Sequence, residues 1–151
     1  MTDPAREEAH VSHVFDAPRD VVLAAWTDPE QVARWWAPDG FEIPIESVLI
    51  EPRVGGRFEL EMVQVGGSER FPYRAEFVEL SPPELIVLKG EAIPEAGIGE
   101  TITRVVFEAE GERTRMTITS GPYTPEARER AQAGWEALAV NLERALALPR
   151  G

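Results

Sequence analysis

The segment TPEARERAQAGWEALAVNLERALALP, residues 124–149, limits what this chain can become more than any other stretch. Thr124 suits a helix N-cap, Pro125 the first helical position and Pro149 a stop. Between them Ala131, Trp135, Leu138, Leu142 and Ala145 recur at steps of four and three, an apolar stripe along a helix of roughly 36 Å. A stripe of that length needs an apolar surface of the same length to lie on.

The rest of the chain predicts that surface. In EEAHVSHVFDA, residues 7–17, Ala9, Val11, His13 and Phe15 share one strand face by the period of two. Two short helices follow, the first opened by Pro18 and the second by Asp28 as N-cap with Pro29 next and Gln31 at the capping-box position. From about residue 41 to 121, strand-like runs alternate with turn signals: FEIPIESVLIEP, RFELEMVQV, RFPYRAEFVEL, LIVLKGEAI, TITRVVFEAE and RTRMTITSG, with the loop PEAGIGE and the tight turn EGER among the connections. With the first strand these make about seven, and short connections favour antiparallel neighbours. The expected fold class is α+β, one curved antiparallel sheet gripping the long C-terminal helix. No internal repeat or linker interrupts the pattern, which predicts a single domain over residues 1–151.

Composition removes several function classes. There is no cysteine, which excludes disulfides and thiolate chemistry. No apolar run has the length of a signal sequence or membrane span, so a cytoplasmic address and no membrane partner are expected. A net charge of −12 opposes nucleic acid, whose affinity rests on phosphate neutralisation. His10 and His13, three apart on a strand, point to opposite faces, and no metal or other cofactor is expected. The GIG at 97–99 lacks the third glycine and the helix of a dinucleotide loop, and the serines sit in no nucleophile elbow. No catalytic constellation is recognisable.

Three segments together, FDAPRDVVLAAWTDPEQVARWWAP at 15–38, VGGRFELEM at 54–62 and GWEALAVNLERAL at 134–146, resemble the START-like, helix-grip (SRPBCC) superfamily and, within it, the family named for the activator of the heat-shock protein ATPase. The resemblance runs from about Val11 to Leu148. It implies a strand, two short helices, six further strands and the long helix, a cavity between helix and sheet that takes apolar or amphipathic small molecules in many relatives, and a homodimer. Co-chaperone members carry an additional large N-terminal domain, whereas few residues precede the first strand here, so the family name is not carried over as a function.

The candidate lining follows from periodicity. Trp35 and Trp36 point about 100° apart on a helix, so one indole is expected to seal the helix onto the sheet and the other to reach the cavity mouth. Trp135, Leu138 and Leu142 face the sheet from the long helix, with Asn141 flanking them. On the strands, Phe58, Leu60 and Met62 share a face, as do Phe71, Tyr73, Ala75 and Phe77, and these faces are expected to point at the helix. His13, Phe15 and Phe41 complete the candidates. Lys89, the only lysine, is the one amine available for a Schiff base, against the commoner fate of a strand lysine reaching water. The leading expectation is a small-molecule carrier or sensor, with a protein-interaction module or a cyclase- or hydratase-type enzyme as alternatives.

Overall fold

The computed structural model describes residues 7–94 and 97–147. Pro149, the expected helix stop, and part of the PEAGIGE loop lie outside the described residues.

In chain order the elements are β1 (Glu7–Phe15), α1 (Arg19–Thr27), α2 (Pro29–Trp35), β2 (Phe41–Glu42), a 3-10 turn (Ile45–Ser47), β3 (Leu49–Ile50), β4 (Arg57–Gln64), β5 (Arg70–Ser81), β6 (Leu85–Gly90), β7 (Thr101–Glu110), β8 (Arg113–Tyr123) and α3 (Pro125–Ala147). The helix starts follow local chemistry. The Asp28 carboxylate accepts from the Glu30 amide at 3.0 Å, and the Thr124 hydroxyl accepts from the Ala127 amide at 3.3 Å. Gln31 closes its cap differently from a capping box: its side-chain amide donates to the Asp28 carboxylate at 3.1 Å rather than engaging the cap backbone.

One eight-stranded antiparallel sheet runs in the order β1-β8-β7-β6-β5-β4-β2, with β3 also on β4. It is curved and unclosed, and α3 packs on it across β1 and β8 and against α2. The extra strand relative to the sequence reading comes from the run FEIPIESVLIEP, which splits into β2, the 3-10 turn and β3. Pro44 has no amide to give a ladder. In its place Ser47 bonds the Pro44 carbonyl through its hydroxyl at 2.7 Å, and that hydroxyl accepts from the Glu61 amide at 3.2 Å. The EGER turn forms as expected, with Glu110 paired to Arg113 and Gly111 at φ 65, the positive φ that a two-residue hairpin loop asks of its first glycine.

The core lies between the inner sheet face and the three helices. Phe15, Trp26, Trp35, Phe58, Phe77, Phe107, Met116, Ile118 and Leu142 are all sealed in it. The stripe on α3 is buried at Trp135 and Leu142 and half-buried at Ala131, Leu138 and Ala145, with Ala139 as a further buried member. Phe71, expected inward, is instead exposed near the β4–β5 hairpin, where its ring meets Phe41 edge-on at 5.7 Å.

The outer edge of β1 is not left open. Gln132 on α3 accepts from the His10 amide at 2.9 Å and donates to the His10 carbonyl at 2.8 Å, so a side-chain amide takes the place of a neighbouring strand. Farther along the same edge His13 Nε2 meets the Glu143 carboxylate at 2.6 Å. No described helix is long and apolar enough to cross a membrane.

Candidate functional site

Between α3 and the sheet lies a cleft of about 220 Å³. One wall is α3, through Ala131, Gly134, Trp135 and Leu138; the end of α2 adds Trp36 and Pro38. The opposite wall and floor are Met62 of β4, Tyr73 of β5, Thr101 of β7 and Tyr123 of β8. Glu91, Ile93 and Ile98 close one side from the β6–β7 connection. The volume exceeds the ~150 Å³ that accommodates benzene and falls below the ~300 Å³ where sites for drug-sized ligands begin.

The two adjacent indoles of α2 divide their work as their angular separation dictates. Trp35 is buried and its Nε1 donates to the Ala25 carbonyl at 2.9 Å, fixing α2 to α1. Trp36 turns the other way, into the cleft, where its ring stands 5.3 Å from Tyr73 and 5.7 Å from Trp135. Trp26 lies behind them, 4.9 Å from Trp35 and near-parallel to Trp135 at 6.3 Å. All four tryptophans of the chain therefore form one cluster backing the cleft.

Thr101 and Tyr123 bring hydroxyl-bearing side chains to the floor, and behind Tyr123 lies a buried hydroxyl chain. Thr103 Oγ1 and Ser120 Oγ are 2.8 Å apart, and Ser120 Oγ and Tyr123 Oη 2.7 Å, a chain of three buried hydroxyls across β7 and β8. Beside it sits Tyr73. Its ring faces the cleft, leaving the residue half-buried, yet its oxygen is closed to solvent. Among the described residues only two buried side-chain polar atoms lack a partner, Tyr73 Oη and Trp26 Nε1. Burial first, and then the Tyr123 phenol, push the ionisation of Tyr73 well above its ordinary 10.0. The Thr103 hydroxyl, which also meets Ser120, pulls the other way. Tyr73 is thus a neutral donor at any physiological pH.

Glycine sets the shape at two places. A methyl on Gly90 would stand 2.8 Å from Thr101 Oγ1, so glycine is what leaves that hydroxyl room, while Tyr73 Oη would be met at an ordinary contact of 3.7 Å. Gly134 lies within α3, where glycine costs roughly 1 kcal/mol relative to alanine, although a methyl there would touch nothing within 4 Å.

The structure brings Trp36, Tyr73, Trp135 and Leu138 together at the cleft. Phe15, Trp35, Phe58, Leu60, Phe77 and Leu142 lie in the packed core and do not line it. His13 does face α3, but at the β1 edge, where Glu143 holds it and Phe15 covers its ring at 4.7 Å. Phe41 pairs with Phe71 away from the cleft. Asn141 offers its amide elsewhere: Nδ2 donates to the Ala37 carbonyl at 3.1 Å and ties α3 to the end of α2. Lys89 is exposed among Arg57, Glu76, Glu91 and Glu100, in a solvated group of charges. Ile93, Ile98, Thr101 and Tyr123 escape the sequence reading as lining. Thr101 carried a usable signal, since it shares the inward face of β7 with Thr103, Val105 and Phe107. The isoleucines carried none, because a loop has no periodicity.

A long helix gripped by a curved antiparallel sheet, with a cleft between them, defines the START-like, SRPBCC class. The chain belongs to the family described as Activator of Hsp90 ATPase homolog 1-like protein, whose model matches residues 16–147. Solved structures agree on the fold. A protein from Chromobacterium violaceum superposes with a TM-score of 0.83 at 23% identity, covering 95% of this chain and 98% of that one. An AHSA1-like protein from Aeromonas hydrophila gives 0.79 at 23% identity, covering 93% and 92%. The AHSA1 protein from Silicibacter pomeroyi gives 0.78 at 19%, covering 93% and 98%. No curated protein matches the sequence.

Proposed function

We propose that this protein binds an apolar or amphipathic small molecule in the cleft between α3 and the sheet. One observation carries the reading: two departures from local stability rules border the same cleft. Tyr73 keeps a buried hydroxyl with no partner, and Gly134 occupies a helix position where alanine would fit. Sequences retain such departures where function requires them, and a cavity with an apolar wall and a few polar groups is the ordinary form of a ligand site. The resemblance also implies a homodimer. With the β1 edge capped by Gln132, the exposed Ile45 and Leu49 beside the opposite edge are the apolar surface that supports it.

The test uses the tryptophan cluster as reporter. Diphenylmethane should alter tryptophan emission without changing the far-ultraviolet circular dichroism of the sheet. Trp135→Phe, which keeps most of the packing, should change its affinity, whereas Trp135→Ala should also cost about 3–5 kcal/mol of stability. Unchanged emission, together with equal affinity in the wild type, Trp135→Phe and Trp36→Phe, would refute the reading.

A further inference from the structure

The apolar floor of the cleft does not end where the cleft ends. On β4 and β5 the register sets Leu60 opposite Tyr73 and Met62 opposite Phe71, so these four side chains share the inward face of the sheet. Tyr73 and Met62 line the cleft. Phe71 stands one pleat farther out, its Cα about 7 Å along the strand from that of Tyr73. Phe41 joins it from β2. Paired with Gln64, which lies two residues past Met62 on β4, it falls on the same face, and its ring meets Phe71 edge-on at 5.7 Å. The Phe41 amide also donates at 3.1 Å to the carbonyl of Pro38, another lining residue. Met62, Phe71 and Phe41 therefore make an apolar platform that begins inside the cleft and leaves it toward the β4–β5 hairpin.

The platform is open to solvent: Phe71 is 42% exposed, and Phe41 and Met62 are half-buried. The charged residues of these strands, Glu59, Glu61, Arg70 and Arg74, alternate onto the other face, where Arg70 pairs with Glu61 at 2.6 Å. They do not interrupt the path from Tyr73 to Phe71. The exposed Ile102 has a different setting, on the outer face of β7 opposite Lys89. Size says what covers the platform. The cleft, at about 220 Å³, falls short of the ~300 Å³ where ligand sites of ordinary size begin. A ligand of ordinary size overfills it, and the overflow finds apolar surface in the direction of Phe71.

We infer that Phe41 and Phe71 form an outer subsite of the same ligand site, and that the ligand is an elongated apolar molecule. Its inner part fills the cleft and its far end lies along the β4–β5 hairpin. This rests on the ligand-binding reading above and adds a length to the molecule that reading requires.

Straight-chain 1-alkanols from hexanol to dodecanol, titrated calorimetrically, test it. In the wild type affinity should rise about fourfold per methylene while the cleft fills, and then about twofold per methylene where the platform covers one side of the chain. Phe71→Ser should bind the short members as the wild type does and dodecanol about fivefold more weakly, the effect of losing the cover of roughly half of the exposed ring. Ile102→Ser, equally exposed but on the outer face, should bind every member as the wild type does, and circular dichroism checks the fold of both variants. A series that levels off at the same chain length in the wild type and Phe71→Ser would overturn the inference and leave the ligand-binding reading standing. So would an equal loss for short and long members in Phe71→Ser. A change of sedimentation mass in Phe71→Ser would put a second copy of the chain on the platform and overturn the inference as well. If no alkanol binds the wild type the inference falls, and the ligand-binding reading falls with it if diphenylmethane is refused too.

Discussion

Replacing Tyr73 by Phe should make the protein more stable, which is an unusual expectation for a buried side chain. The substitution keeps the ring against Trp36 and removes only the oxygen that has no partner. A buried polar group left unpaired costs about 1–3 kcal/mol, and the small void left by its removal returns only a fraction of that. The net gain should be about 1 kcal/mol. For a domain of 151 residues this is roughly 2–4 °C in Tm, and the urea midpoint should rise with an unchanged m-value. Alkaline titration adds a second arm. The folded state holds the Tyr73 proton more tightly than the unfolded chain does, so the unfolded chain loses it first as pH rises through 10.0. This contribution is complete below pH 10.0 and is lost above it, and Tyr73→Phe should lack that part of the alkaline loss. A destabilisation of about 1 kcal/mol or more would refute the reasoning, because it would mean that the hydroxyl has a partner, with Thr103 the nearest candidate.

Three further outcomes are expected. Gly134→Ala should stabilise α3 by roughly 1 kcal/mol, since the added methyl meets no atom within 4 Å, and should weaken ligand binding; a thermal melt and a titration read the two effects. Gln132→Ala should lower stability by about 1–2 kcal/mol in urea, because the His10 amide and carbonyl lose their side-chain partner together, and should increase concentration-dependent association through the uncovered β1 edge. Sedimentation equilibrium should return about twice 16.8 kDa at tens of micromolar protein, and a mass near 16.8 kDa would refute the homodimer.

Much of the fold was legible because its signals are local and periodic. The α3 stripe, the caps at Asp28 and Thr124 and the alternation in β4 each state in sequence what they become in structure, and the alternation in β5 does so from Tyr73 to Phe77 but not at Phe71. The FEIPIESVLIEP run misled because its apolar residues look continuous while Pro44 removes a ladder donor. The cleft was legible only in part. Periodicity says that Phe58 and Tyr73 face inward, but not that one is packed solid and the other borders open space. That distinction depends on where α3 stops touching the sheet. Asn141 shows the same limit, since its partner at Ala37 is 104 residues away.

The position of β1 has a consequence for how the chain reaches this structure. The strand at the beginning of the sheet order pairs only with β8 and is held from the other side by α3, through a Gln132–His10 contact that spans 122 residues. As the chain leaves the ribosome, β1 emerges ahead of the other described elements and finds its partners last. Hairpins such as β4–β5 and β7–β8 can close early, whereas sealing the aromatic core waits for nearly the whole chain, a topology of high contact order and correspondingly slow folding. Until then Phe15, Trp26 and Trp35 lack the cover that α3 supplies, and aggregation is the hazard of the interval before that helix arrives.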